Sequence, residues 1–395
     1  GPMNGKSRVA AHVKALPFAG IRKFFDSVAR RKDVISFGVG EPDFDAPRAV
    51  RDVAKTSLER GETHYTSNRG DPELRRAISR YVARQFGATY DPDTEILVTV
   101  GVSEAIDIAL RAVVNPGDEV IYHEPCFVSY RPTIIMAGGV PVCVETRRED
   151  QFRLTRAMLE KAVTPKTRVL MLNFPCNPTG AVLLQKDVED IADFCAKHDL
   201  LLLTDEIYAE LTYESKHVSF ASIPGMKERT IFLHGMSKAW AMTGFRIGYA
   251  CAPVEITENL MKLHQYAIMS APTTGQMAAA EALDHGDEAV AQMRAEYNRR
   301  RNYLIAAFAE MGIPCHTPAG AFYAFPYIGD LGISAEEFAL RFLEEKGVAV
   351  VPGDAFGACG AGFLRCAYAT SMDNVREGMK RMAEFVAEIR AEQKK

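Results

Sequence analysis

Thr230-Ile231-Phe232-Leu233-His234-Gly235-Met236-Ser237-Lys238, continuing through Ala239-Trp240-Ala241-Met242-Thr243-Gly244-Phe245-Arg246-Ile247-Gly248-Tyr249, is the stretch from which the rest of the chain can be read. Its first four residues are apolar and partly β-branched, the pattern of a buried strand. A lysine stands at the mouth of that strand, with a serine before it and an arginine eight positions on, between turn-forming glycines. A partly buried lysine loses proton affinity and can condense with a carbonyl. A serine hydroxyl and an arginine fork are groups that hold a phosphate. Ser-Lys alone is a weak signal, because most lysines are solvated surface charges. Its company along the chain decides.

Around this stretch, apolar strands alternate with amphipathic helices. Strands are predicted at 96–100, 119–122, 140–144, 169–172, 200–204, 231–234 and 247–252, and helices at 103–113, 127–137 and 186–198. Such alternation predicts an α/β fold with a mostly parallel, seven-stranded sheet covered on both faces. From about Asp284 the pattern changes to a long charged helix at 288–311, strands at 321–326, 348–351 and 363–368, a helix at 334–346, and a last helix from Asn374. This reads as a smaller α+β domain over 285–395, beside a large domain over 46–284. Residues 1–45 form an N-terminal segment that joins the small domain. That segment has helical periodicity at 14–31, broken at Pro17 and Gly20, and a short strand at 34–37. The ordered turn Gly38-Val39-Gly40-Glu41-Pro42-Asp43-Phe44-Asp45 follows. A helix is predicted at 47–60, then a polar loop at 61–70, then a helix capped by Asp71 and running to about Phe86.

Ligands of open α/β sheets sit outside the carboxyl ends of the strands. Here those ends carry a series of polar groups. Gly101-Val102-Ser103 opens a helix after 96–100, and its free amides and hydroxyl suit a phosphate. Asn173-Phe174-Pro175-Cys176-Asn177-Pro178-Thr179-Gly180 follows 169–172, Asp205-Glu206-Ile207-Tyr208 follows 200–204, and Ser237-Lys238 follows 231–234. A glycine turn with a serine, or an aspartate before a helix, is often only a cap. Four such coincidences in one chain are hard to assign to capping. Arg365, between apolar residues on the strand 363–368, would be costly to bury without an anion.

Asn177-Pro178-Thr179-Gly180, Asp205-Glu206-Ile207-Tyr208 and Ser237-Lys238 with Gly244-Phe245-Arg246-Ile247-Gly248, in that order, resemble the pyridoxal-phosphate-dependent class I aminotransferases of fold type I. The likeness is greatest to bacterial alanine/aspartate-type enzymes of the gamma subgroup, and runs from Gly40-Glu41-Pro42-Asp43-Phe44 to Arg365-Cys366-Ala367-Tyr368-Ala369-Thr370-Ser371. It implies pyridoxal 5'-phosphate held by Lys238 through a Schiff base, the same lysine then moving the substrate proton. Asp205 would keep the pyridine nitrogen protonated. Tyr208 and Asn177 would hydrogen-bond the ring oxygen. The Gly101, Val102 and Ser103 amides, with the Ser103 hydroxyl, Ser237 and Arg246, would grip the phosphate. Phe127 would stack on the ring, though a phenylalanine on an apolar helix face is more often core. Arg365, helped by Gly40 and Asn177, would take the substrate carboxylate. Tyr65 would reach the phosphate site of a partner subunit, which implies a homodimer with shared sites.

Composition sets the outer bounds. At 395 residues and 47% hydrophobic content the chain buries a large core. A net charge of −4 with interspersed signs argues against nucleic-acid partners and anionic membranes. Eight cysteines without metal-ligand spacing fit a reducing compartment, and neither a signal peptide nor a bilayer-spanning run is evident, so a cytoplasmic enzyme without a metal is expected. His198 is read as a solvated or capping group, and Trp240 as packing around the lysine loop. The activity implied is transfer from an L-amino acid, alanine-like donors favoured and aspartate allowed, to 2-oxoglutarate or pyruvate. Ser103 and Ser270-Ala271-Pro272-Thr273-Thr274 offer no cation for a distal carboxylate, which leaves Arg22, His64 and Arg69 as candidates. The alternatives are a C–S β-lyase, an aminotransferase for a larger substrate such as an N-acetyl-diaminopimelate, and a cofactor-sensing regulator. The last would need a DNA-binding domain for which no room exists before the strand at 34–37.

Overall fold

The computed structural model describes residues 6–18, 26 and 28–395. In chain order the strands are β1 (Ile35–Ser36), β2 (Ile96–Thr99), β3 (Glu119–Glu124), β4 (Val140–Glu145), β5 (Thr167–Asn173), β6 (Leu201–Asp205), β7 (Thr230–Gly235), β8 (Gly248–Cys251), β9 (Tyr323–Ala324), β10 (Val348–Ala349), β11 (Val351–Pro352) and β12 (Leu364–Ala367). The main sheet has seven strands in the order β2-β8-β7-β6-β5-β3-β4. Only β8 runs against the rest, antiparallel to both β2 and β7. The sheet is therefore mostly parallel, as the strand–helix alternation predicted.

The near-continuous hydrophobicity of the central strands has a direct cause in the pleat, which turns successive side chains to opposite faces. Leu170 and Leu172 of β5 and Leu202 of β6 pack with Ile191 and Phe194 of the helix Gln185–Lys197. Val169, Met171, Leu203, Ile231 and Leu233 point the other way, onto Ile106 and Leu110 of the helix Gly101–Val113 and Leu260 of the helix Val254–Ala267. Both faces are covered, so no polar alternation is tolerated.

A smaller, antiparallel sheet of order β11-β12-β9 lies against the helices Asp287–Met311, Ala335–Lys346 and Met372–Gln393. β1 pairs parallel with β10. Through the bonds Phe37 N to Ala349 O, at 2.8 Å, and Ala367 N to Phe37 O, at 2.7 Å, the segment after β1 is carried alongside β12. Arg300 then clasps Asp43 through both guanidinium nitrogens, at 2.8 and 3.0 Å.

Several elements are shorter than their sequence patterns suggest. The helix expected at 127–137 is Tyr130–Met136. A start at Phe127 would put Pro132 inside the helix, against the carbonyl four residues back; starting at Tyr130 puts it in the first turn, where its missing N–H costs nothing. The strands expected at 321–326 and 348–351 shrink to two-residue pairs, because their ladders are set by short tertiary partners. Of the helical pattern at 14–31, Asp26, Val28 and Ala29 are helical and residues 19–25 and 27 lie outside the described residues; a single turn, Ala11–Lys14, ends before Pro17. No helix among the described residues is long and apolar enough to cross a membrane.

Candidate active site

The carboxyl ends of β5, β6 and β7 deliver Asn173, Asp205 and, three residues after β7, Lys238 to one cleft of about 480 Å³. Gly40, Val102, Ser103, Phe127, Asn177, Tyr208, Ser237, Arg246 and Arg365 line the same cleft. All the site residues expected from sequence are thus brought together, save two. Gly101 sits immediately behind the lining, and Tyr65 is 77% exposed on the loop 61–70 and does not line the cleft.

One end of the cleft is built for an anion. The helix Gly101–Val113 starts directly off β2, with Val100 as its N-cap and no side-chain cap. Its first amides therefore lack intrahelical partners and carry the positive end of the helix dipole. Gly101 has φ +67°, and a Cβ there would stand 2.5 Å from an Arg246 nitrogen. Gly248 of β8 lies so close beneath this turn that a Cβ would meet the Gly101 carbonyl carbon and the Val102 nitrogen at 2.7 Å. Two glycines thus let backbone amides and an arginine converge, with Ser103 and Ser237 hydroxyls nearby. Ser103 lies inside the first helical turn and is not its cap.

At the centre, Asp205 is buried. Its Oδ2 accepts from the Tyr130 hydroxyl at 2.8 Å and its Oδ1 from the Ile207 amide at 3.2 Å. Burial pushes this carboxyl up to about 6, against the pull of those two donors. Asn173, its neighbour across β5 and β6, gives its amide N–H to the Asp205 carbonyl at 3.1 Å, and its Oδ1 accepts from the Asn177 amide at 3.1 Å. Lys238 Nζ donates to the Gly40 carbonyl at 2.7 Å. Burial first, and then Arg365, lowers its ammonium to about 8, so roughly a tenth is free amine at pH 7, far more than an ordinary lysine offers.

The opposite wall comes from the small sheet. Arg365, 3% exposed on β12, lies between the rings of Tyr323 and Phe356, at 4.7 and 4.8 Å from their centroids. It donates to Asn177 Oδ1 at 2.9 Å and to the Gly38 carbonyl at 2.7 Å, while its buried Nε has no partner. Arginine only donates, so Asn177 must turn its oxygen to Arg365 and keep its NH₂ for the cleft. Tyr208 and Tyr323 share a hydrogen bond of 2.7 Å between their hydroxyls. Glu41, on the rim, accepts from the Thr243 hydroxyl.

Tyr130, Asn173, Tyr323 and Phe356 were not singled out from sequence. Tyr130 follows Phe127 by three positions, and Asn173 opens the Asn173–Gly180 run, so both had a local signal. Tyr323 and Phe356 had none. Of the cations considered for a distal carboxylate, Arg22 lies outside the described residues, and His64 and Arg69 do not line the cleft. His198 caps its helix and meets Glu160, and Trp240 is fully buried, as read from sequence. Among the described residues no cluster of histidine, cysteine, aspartate and glutamate is poised to hold a metal ion.

The donor set fits pyridoxal phosphate: an uncapped helix start with an arginine, a buried carboxylate, a depressed lysine and a buried arginine with a free nitrogen. Comparison with known proteins agrees. The family described as "Aminotransferase class I and II" matches residues 32–382. The chain is 49% identical over 380 residues to the putative aminotransferase YugH of Bacillus subtilis, covering 96% of this chain and 98% of that one. It is 47% identical to an aspartate aminotransferase of Pyrococcus abyssi, covering 93% and 95%. The crystal structure of an aromatic aminotransferase from Pyrococcus horikoshii superposes with a TM-score of 0.88 at 46% identity, covering 92% of this chain and 99% of that one. The chain belongs to the class I and II aminotransferases, and is a pyridoxal-phosphate-dependent transaminase.

Proposed function

We propose that the cleft moves the amino group of an L-amino acid with a neutral side chain to a 2-oxo acid such as pyruvate or 2-oxoglutarate. The observation that carries this reading is the set of cations. Among the described residues that line the cleft these are Lys238, Arg246 and Arg365, which the carbonyl chemistry, the phosphate and the α-carboxylate would each use. None remains in the lining for a second carboxylate, and the Glu41 carboxylate stands on the rim; 2-oxoglutarate, unlike pyruvate, would depend on a cation from outside the lining, such as His64 or Arg69. The remaining wall is apolar, with Val102, Ile106, Phe127, Val128, Ile207 and Phe356. The preference for alanine read from sequence rests on the same lack of a cation. The relatives' names, aspartate and aromatic, widen the candidates to donors with larger side chains.

Bound pyridoxal phosphate supplies an electron-withdrawing ring that takes up the electron pair left at the donor Cα. In this reading the Gly101, Val102 and Ser103 amides, the Ser103 and Ser237 hydroxyls and Arg246 hold its phosphate. Asp205 would pair with the pyridinium N–H, and its burial would strengthen that ion pair. Tyr208 and the Asn177 NH₂ would donate to the ring oxygen, and Phe127 would cover the ring. Lys238 would hold the cofactor's carbonyl and would carry the Cα proton on Nζ; an amine near 8 is matched to that proton transfer at neutral pH. Arg365, whose buried Nε has no partner in the protein, would take the α-carboxylate and so hold the Cα within the same cleft as Lys238.

The same reading places a homodimer around the exposed Tyr65, which would complete the partner's site. The large part would end near residue 284, in the last turn of the helix Thr273–His285 and just before the helix Asp287–Met311. The test is a donor panel of alanine, phenylalanine and aspartate against pyruvate and 2-oxoglutarate, with Lys238→Ala as control. Neutral donors should exceed aspartate in kcat/KM, and Lys238→Ala should abolish transfer. Aspartate strongly outpacing both neutral donors would overturn the donor assignment. Ammonia and pyruvate from a cysteine conjugate, without transfer, would point to a C–S lyase.

A further inference from the structure

We infer that Tyr323 is a positioning residue that acts on both halves of the site at once. Its hydroxyl fixes Tyr208 as a hydrogen-bond donor toward the ring oxygen of the cofactor, and its ring supports Arg365 as the carboxylate receptor. The inference rests on the placement of Tyr208 and Arg365 proposed above.

Three observations carry it. The Tyr208 and Tyr323 hydroxyls lie 2.7 Å apart in a buried contact, so one must donate to the other. Tyr323 also places its ring 4.7 Å under the Arg365 guanidinium, and the cation favours negative charge on that phenol. Burial raises both phenols, and Arg365 opposes the rise at each. The cation stands 4.7 Å over the Tyr323 ring, whereas the cation over the Tyr208 ring, Lys238, is 5.9 Å away, so Tyr323 is the better polarised hydroxyl and the donor of the pair. Tyr208, having accepted, has one proton left and must direct it elsewhere, and the cleft is the side it lines. The third observation is backbone. Tyr323 sits on β9 opposite Ala367 of β12, two residues from Arg365, so its ring and the arginine are registered by the same ladder. Gly40 closes the remaining side, where a Cβ would stand 3.0 Å from the Tyr323 hydroxyl.

The hydroxyl and the ring therefore have separable effects. A donor to the ring oxygen favours its anion and lowers the proton affinity of the imine nitrogen next to it. Losing the Tyr323 hydroxyl leaves Tyr208 a weaker and less directed donor. The experiment compares loaded wild type with Tyr323→Phe, Tyr323→Leu and Tyr208→Phe. Two quantities are read: the pH midpoint of the cofactor's absorbance change, and the Kd of 3-phenylpropionate, a carboxylate with no amine to react. Tyr323→Phe should raise the midpoint by about one unit, a tenfold change, while the Kd stays within about twofold. Tyr323→Leu should shift the midpoint similarly and weaken 3-phenylpropionate by about tenfold. A Tyr323→Phe midpoint within 0.2 unit of wild type (roughly the resolution needed for a one-unit effect), with Tyr208→Phe shifted, overturns the role of Tyr323 alone. An unshifted Tyr208→Phe removes Tyr208 from the ring oxygen and takes this inference with it. Equal carboxylate affinity in Tyr323→Phe and Tyr323→Leu refutes the ring's support of Arg365.

Discussion

Replacing Tyr130 with phenylalanine tests how the buried Asp205 stays charged. The substitution removes one hydroxyl, 2.8 Å from Asp205 Oδ2, and keeps the ring that packs edge-on against Phe127 at 6.0 Å. A hydrogen bond to a charged group contributes ~1.5–3 kcal/mol. At ~1.36 kcal/mol per unit, its loss moves the carboxyl up by ~1–2 units. The wild-type group, already pushed to about 6 by burial, would then titrate at ~7–8 in the variant. His234 and Glu206 also act on Asp205, in opposite senses, but they are common to both proteins. An ionised Asp205 is what the pyridinium needs, so affinity for the cofactor should fall as the pH drops through the carboxyl's titration. The assay is the Kd of pyridoxal phosphate for cofactor-free protein, from pH 5.5 to 8.5, followed by quenching of protein fluorescence. The cofactor's own ionisations cancel in the ratio of variant to wild type. That ratio should be near one at pH 8.5 and rise to ~3–25-fold at pH 6.5, with Asp205→Asn flattening the dependence altogether. A ratio that stays constant across the range would refute the argument that Tyr130 holds the charge on Asp205.

Two further outcomes follow from the same geometry. Gly101→Ala puts a methyl 2.5 Å from the Arg246 guanidinium at a positive φ, so cofactor affinity should fall by ~10-fold or more, read as a raised Kd with the fold intact by circular dichroism. Lys238→Met should stabilise the cofactor-free protein at pH 7 by ~1–3 kcal/mol in urea unfolding, because the wild-type lysine is lowered from 10.5 to about 8 and charged burial carries up to ~3 kcal/mol below that value. The unfolded chain binds the extra proton between 8 and 10.5, so the gain should shrink as pH rises above 8, and a gain that grows instead would contradict the assignment.

What could be read from sequence and what could not divide along a physical line. The strands of the main sheet were legible because each is buried on both faces and therefore apolar throughout, so the polar residue that ends it stands out. The Asn173–Gly180 run, Asp205 and Lys238 follow such apolar stretches, and the sheet's topology alone places them side by side. Arg365 was legible for the opposite reason, as one charge inside an apolar strand. The two-residue strands of the small sheet were over-extended because nothing local ends them; their partners across the ladder do. Tyr323 shows the limit most clearly. By composition it is one more aromatic in Ala321-Phe322-Tyr323-Ala324-Phe325, and burial alone accounts for it. Its hydroxyl partner lies 115 residues away and its stacking partner lies on another strand. The segment from Phe37 to Asp43 behaves likewise. Its glycines and proline announce a turn, but its contacts are with Arg365, Lys238, Thr243 and Arg300, all about 200 residues or more distant. That turn therefore joins the two walls of the cleft. Lys238 and Arg365 are each bonded to a carbonyl within it, two residues apart, so a shift of the segment would move the amine and the carboxylate receptor together.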